Sequence, residues 1–170
     1  VGDTVSDFSL PNCGDGANQS IQDYFGDANV GWLVLTAGWC PACAEAIPQL
    51  MDIESQFSAR GLKVGFILGE AATQDSVPDQ AYCQRYADRY GIDHNKFFLD
   101  NTDGAGFRTT FEHIFPYVDE SGAFALPFTA IINPQTMEYV YADRSGEDIA
   151  EVINGLLDAE EAGADDAAQP

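Results

Sequence analysis

Two uninterrupted apolar runs and several amphipathic stretches organise the chain. Gly31-Trp32-Leu33-Val34-Leu35-Thr36 and Leu62–Leu68 are apolar at nearly every position. Such runs predict strands buried on both faces, as in the middle of a parallel sheet. Gly38 follows the first run and Gly69 closes the second. From Pro41 to Ala59, apolar residues recur at helical spacing through Cys43, Ile47, Leu50 and Phe57, and Gly61 ends the segment. Pro48 lies inside it and predicts a kink, because it removes a backbone donor and crowds the preceding turn. A polar stretch leads to a helix predicted over Pro78–Tyr90, stopped by Gly91. Lys96–Leu99 predicts a short third strand, and Asp103–Phe115 a helix that Gly104 and Gly106 weaken. Phe128–Ile132, the turn Asn133-Pro134-Gln135-Thr136 and Met137–Tyr141 form a hairpin pattern. Ser145 is placed to cap a last helix ending at Leu157, apolar at Ile149, Val152, Ile153, Leu156 and Leu157.

Residues 1–29 form an N-terminal extension punctuated by Pro11, Gly14, Gly16 and Gly26, with one helical turn at Ile21–Phe25. Residues 158–170 are small and acidic, and are expected to form a disordered tail. No internal repeat is visible. Strand–helix–strand–helix–strand, then a hairpin and a helix, implies parallel pairing first and antiparallel pairing at the end. The expected product is an α/β fold with a mixed sheet and helices on both faces. A length of 170 residues suits one domain, spanning residues 1–157.

Charge narrows the choice of partners. The chain carries 28 acidic and 7 basic residues, a net charge of −21, and its only lysines are Lys63 and Lys96. Nucleic-acid backbones and anionic membranes would be repelled. No apolar run reaches the roughly 18–20 residues that a spanning helix needs. Any membrane attachment is expected to come from an anchor ahead of Val1.

Chemistry points to Cys40 and Cys43. They sit where a buried strand turns into a helix, so Cys40 falls at the helix N-terminus, where free N–H groups and the helix dipole favour negative charge. A thiolate there should form below the reference pKa of about 8.5. Cys43, one turn inward, can attack a mixed disulfide formed at Cys40, and this pair is the minimum equipment for thiol–disulfide exchange. A zinc site would need a second Cys/His pair, and His94 and His113 lie outside any ligand motif, so no metal is expected. Haem attachment would need a histidine where Ala44 stands. An inert structural disulfide is the remaining bland reading. Cys13 and Cys83 are left over; they either pair with each other or act as two small buried hydrophobes.

Thr36-Ala37-Gly38-Trp39-Cys40-Pro41-Ala42-Cys43, followed by Pro48, resembles the active-site segment of the thioredoxin superfamily. Leu126-Pro127-Phe128-Thr129, ahead of Ala130–Pro134, resembles that superfamily's later proline, which normally follows a cis bond and faces the cysteines. The opening, Val1-Gly2-Asp3 to Asp7-Phe8-Ser9-Leu10, is similar to redoxin (AhpC/TSA-related) and TlpA-like proteins. The resemblance implies a thioredoxin-like three-layer α/β/α sandwich around a central mixed sheet. It also implies a bacterial thiol–disulfide oxidoreductase, periplasmic or membrane-anchored and facing outward, monomeric and without a cofactor. Its partners would be protein thiols or disulfides and an upstream redox partner.

By the same resemblance, Cys40 would be the exposed nucleophile and Cys43 the buried resolving thiol, with Trp39 packed beside them. Pro127 would present backbone groups to a bound peptide. Trp39, Pro41, Ala42, Leu126 and Phe128 would support the site and give it an apolar rim for an extended segment.

There are departures from the pattern. The strand position that often carries a buried aspartate is Val34, and the helix position that often carries a glutamate is Ala46, with Glu45 one step earlier. The proton acceptor for Cys43 is therefore unassigned. Phe107, Phe111, Phe115 and Tyr117 form an aromatic stripe that is either core or a lid or partner surface. Two rival functions stand beside exchange. A thiol peroxidase would want proline and threonine or serine where Leu33 and Ala37 stand, and a copper carrier could offer only His113.

Overall fold

The computed structural model describes residues 2–114, 124–143 and 148–167. Phe115, Tyr117 and Ser145 lie outside the described residues. Strands β1 (Ser9–Pro11) and β2 (Asn18–Ser20) make a small antiparallel ladder, followed by α1 (Ile21–Phe25). Then come β3 (Val30–Ala37), α2 (Pro41–Phe57), β4 (Leu62–Glu70), α3 (Gln80–Tyr90) and β5 (Phe97–Leu99). Helix α4 (Arg108–His113), β6 (Phe128–Asn133), β7 (Glu138–Asp143) and α5 (Ile149–Ala167) complete the order. The main sheet runs β5-β4-β3-β6-β7. β3 pairs in parallel with β4, and β4 with β5, whereas β6 is antiparallel to both β3 and β7.

Alternation along β3 builds two layers. Trp32 and Val34 face Ile47 and Leu50 of α2, Cys83 and Tyr86 of α3, and Ile149, Ile153 and Leu157 of α5. Leu33 and Leu35 face the other way, onto Tyr24 and Phe25 of α1, Phe107 and Ile114 flanking α4, and Val5, Phe8 and Leu10 of the extension. Covered on both sides, β3 has no polar face, which is why its sequence reads as a continuous run. The result is the thioredoxin-like three-layer sandwich.

Several boundaries differ from the sequence reading. β4 continues through Gly69 to Glu70, which pairs with Ala37 of β3, and position 69 is glycine because the Phe107 ring occupies the space a Cβ would need. α3 starts at Gln80, after Pro78, because the Asp79 side chain caps it by accepting from the Tyr82 N–H at 2.6 Å. α4 is confined to Arg108–His113, since Gly104, Gly106 and Phe107 all take positive φ angles. Pro48 lies inside α2 on its exposed side, and the helix continues past it.

The tail is the largest correction. Residues 158–167, expected to be disordered, extend α5 to Ala167. Ala159, Glu160, Glu161 and Ala162 are strong helix formers. Arg60 also fastens the helix, donating to Asn154 Oδ1 at 2.7 Å, Asp158 Oδ1 at 2.6 Å and Glu161 Oε1 at 2.7 Å.

The extension is fixed at both ends of the sheet. The Gly2 N–H donates to the Tyr139 carbonyl at 2.8 Å and the Val5 N–H to that of Met137 at 2.7 Å, beside β7. Asn12 bridges Phe98, and the Cys13 N–H donates to the Phe97 carbonyl at 2.9 Å, beside β5. Cys13 and Cys83 form a disulfide, both are fully buried, and the bond ties the extension to α3.

Two buried phenols give the fold a pH dependence. The Tyr24 hydroxyl donates to the Val64 carbonyl at 2.6 Å, and that of Tyr86 shares a 2.9 Å bond with Thr36 Oγ1. Burial pushes both phenols well above the ordinary tyrosine value. Their contribution is complete below the unfolded value of about 10 and disappears as pH climbs through the folded values. Unfolding free energy should therefore fall above about pH 10, as measured by denaturant titration across that range. A flat profile would contradict this account.

Candidate active site

The cysteine loop is built at the carboxyl ends of β3 and β4. The Gly38 N–H donates to the Glu70 carbonyl at 2.9 Å, and the Tyr82 hydroxyl fills the place where a side chain at Gly38 would begin. Cys40 then caps α2 from an extended backbone, and its Sγ accepts from the Cys43 N–H at 3.1 Å. Pro41 follows at the first helical position, where no backbone donor is needed. Cys40 and Cys43 are joined as a disulfide with their Cα atoms 5.3 Å apart.

Exposure orders the two sulfurs. Cys43 is fully buried and Cys40 is 5% exposed. Cys40 is thus the more accessible of the two, but far more enclosed than the exposed nucleophile the resemblance implied. Ala37, Trp39 and Leu126 pack around the pair and account for that enclosure.

Cys40 opens onto a cleft of about 460 Å³. Trp39, Pro41 and Ala42 line it beside the sulfur, Glu70, Gln74 and Asp75 line one wall, and Phe107, Phe124 and Leu126 contribute apolar surface. The Leu126–Pro127 peptide is cis, as the resemblance implies, and Pro127 is half-buried. Phe128 does not reach the rim. It is fully buried in β6, opposite Leu35, because it falls on the inward side of the strand.

The acidic wall was not anticipated from sequence. Trp39 Nε1 donates to Glu70 Oε2 at 2.6 Å, and Glu70 Oε1 accepts from the Asp75 N–H at 2.9 Å. Glu70 is only 8% exposed. The available signal was a carboxylate at the carboxyl end of a buried strand next to the one that feeds the cysteines, where ligands gather in open α/β sheets. Of the aromatic stripe, Phe107 and Phe111 lie within the described residues. Phe107 is buried against Gly69 and also lines the cleft, with the Phe111 and Phe124 rings 5.7 Å and 6.0 Å away.

Other candidates fall outside the cleft. Glu45 is exposed on α2, and Val34 is sealed in the sheet. His113 stacks on Phe8 with ring centroids 4.8 Å apart and shares a 2.7 Å hydrogen bond with Ser6 Oγ. His94 meets Asp88 at 2.7 Å. Among the described residues, no group of three or more metal-ligating side chains is placed to hold an ion, and no helix is long and apolar enough to cross a membrane.

The Redoxin family matches residues 1–146 of the chain. This protein belongs to the redoxin family. Redoxins are oxidoreductases, which fits the linked pair at the head of α2. The search of the curated proteins found no match. Among solved structures, this redoxin is similar to a hypothetical protein from Sinorhizobium meliloti, with a TM-score of 0.71 and 18% identity over 94% of this chain and 85% of the other. It is also similar to a thiol-disulfide oxidoreductase from Bacteroides fragilis, with a TM-score of 0.68 and 18% identity over 91% and 99% of the two chains. A thioredoxin-family thiol:disulfide interchange protein from Chlorobium tepidum gives a TM-score of 0.64 and 18% identity over 92% and 97%. At these identities the likeness establishes the fold.

Proposed function

We propose that this redoxin exchanges disulfides with protein substrates, with Cys40 as the attacking sulfur and Cys43 as the resolving one. The observation that carries the reading is the arrangement at the start of α2. There a linked sulfur pair has one member facing a cleft and the other sealed behind it. In the reduced protein, the Cys40 thiolate attacks a substrate disulfide, a mixed disulfide forms, and one substrate sulfur leaves as a thiolate and takes up a proton. Cys43 loses its proton and attacks Cys40 Sγ. The Cys40–Cys43 bond closes and the second substrate thiol is released, so two electrons and two protons pass to the substrate. The reverse sequence loads the oxidised pair from a partner dithiol.

The helix N-terminus supports the anion at Cys40 through the Cys43 N–H and the α2 dipole. Ala37, packed against both cysteines, offers no hydroxyl to a peroxide, which favours exchange over peroxidase chemistry. His113, engaged with Ser6 and Phe8, argues against a copper carrier. A buried Cys13–Cys83 disulfide suits an oxidising compartment, consistent with an extracytoplasmic location.

Thiol counting tests the assignment of the pair. Mild dithiol treatment followed by alkylation should label two cysteines, Cys40 ahead of Cys43, while Cys13 and Cys83 react only after unfolding. Labelling of Cys43 first would reverse the roles. Insulin reduction by the dithiol-recharged protein should be observed in parallel, and its absence would remove the proposed function.

A further inference from the structure

Two carboxyl groups on one wall of the cleft, Glu70 and Asp75, have no cationic neighbour among the described residues. Glu70 is more than nine-tenths buried, and its two oxygens accept from an indole N–H and a backbone N–H, both neutral donors. Among the described residues, no lysine, arginine or histidine forms an ion pair with it, and none lines the cleft. Asp75 adds a second carboxylate to the same wall from an exposed loop position. A buried carboxylate without a counter-charge is costly unless something brings one. Glu70 has the capacity to accept it. An ionised carboxyl offers about four acceptor sites, and the two neutral donors use two.

The rest of the cleft favours a planar cation. Phe107, Phe124 and Leu126 contribute an apolar surface, and Cys40 lies within the same cavity. A planar guanidinium can meet a carboxylate with its fork and rest its faces on aromatic rings, whereas a second carboxylate would be repelled. The net charge of −21 adds a long-range pull on cationic partners.

We infer that the cleft recognises an arginine or lysine flanking the reactive cysteine of the substrate, with Glu70 and Asp75 as the residues that read it. This inference rests on the exchange reading above and names the substrate class for that same site. The partner is a cationic, cysteine-bearing segment, and its side chain supplies the counter-ion that Glu70 lacks among the described residues.

The test uses three short peptides, each closed by one disulfide and differing only beside the first cysteine, which is flanked by arginine, glutamine or glutamate. Pre-reduced full-length protein is mixed with each, and oxidation of its Cys40–Cys43 pair is followed. Rates are divided by those of dithiothreitol with the same peptide, which removes the peptide's own reactivity. The normalised arginine-to-glutamate ratio should be roughly a hundredfold at low salt, about tenfold for each carboxylate, and should shrink at high salt. Glu70→Gln and Asp75→Asn should each reduce the ratio by about tenfold. Asp75→Asn lies on an exposed loop and keeps the test open if the buried variant folds poorly.

A normalised ratio within about twofold of unity, with brisk oxidation by the uncharged 2-hydroxyethyl disulfide, overturns the cation preference and leaves the exchange function standing. A high ratio that neither variant alters overturns the assignment to Glu70 and Asp75. Failure of every disulfide, the uncharged one included, removes the exchange function and this inference with it.

Discussion

Cys40→Ser should abolish dithiol-dependent reduction of protein disulfides, lowering kcat/KM by roughly a thousandfold or more, equivalent to about 4 kcal/mol of transition-state stabilisation. The reason is geometric as well as chemical. Of the two linked sulfurs, Cys40 is the one that lines the cleft, while Cys43 is fully buried behind it. Cys43 therefore cannot take over the attack. Cys43→Ser should behave differently: the first attack proceeds and the mixed disulfide is left without its resolving sulfur. Intact-protein mass spectrometry should then find stoichiometric adducts between Cys40 and the substrate. Undiminished turnover in Cys40→Ser would falsify the assignment. A Cys43→Ser protein that releases product at the normal rate would instead require another resolving thiol.

The second large effect concerns stability. Replacing Cys13 and Cys83 together by alanine should destabilise the fold by about 4 kcal/mol in the chain-entropy model, given a loop of 70 residues. For a domain of this size that lowers Tm by roughly 10 °C. The bond does not act alone. Gln84 Nε2 donates to the Cys13 carbonyl at 2.9 Å, and the Asn12 side chain donates to the Asn95 carbonyl at 3.0 Å. Selective reduction of Cys40–Cys43, which closes a loop of only three residues, should shift Tm much less. Calorimetry of the double variant beside the selectively reduced protein separates the two bonds. Equal shifts would mean that the buried disulfide contributes no special constraint.

The sequence shows the sheet best where burial is most complete. β3 and β4 are covered on both faces, so their residues have no polar alternation to confuse the reading. The head of α2 was equally plain, because a strand, a glycine, two cysteines and a proline at the first helical position agree with one another. Features that depend on distant partners were not legible. Glu70 becomes part of the site through the Trp39 indole, 31 positions away. Residues 158–167 become helical with the help of Arg60, about a hundred positions earlier. Phe128 was misplaced for a local reason: a one-residue difference on a strand sends a side chain to the opposite face. The Cys13–Cys83 bond required knowing that the extension runs beside β5, which no local pattern discloses.

The course of the first thirteen residues has a consequence for colloidal behaviour. One short segment hydrogen-bonds along β7 with Gly2 and Val5, and along β5 with Asn12 and Cys13, so it shields both flanks of the sheet. Unshielded flanks are templates on which neighbouring molecules add strands. A protease that clipped this segment would therefore do more than loosen the fold. It would bare the β7 border of a chain that otherwise repels its own copies, while Cys13 stays bonded to Cys83 beside β5, and turbidity would be the symptom.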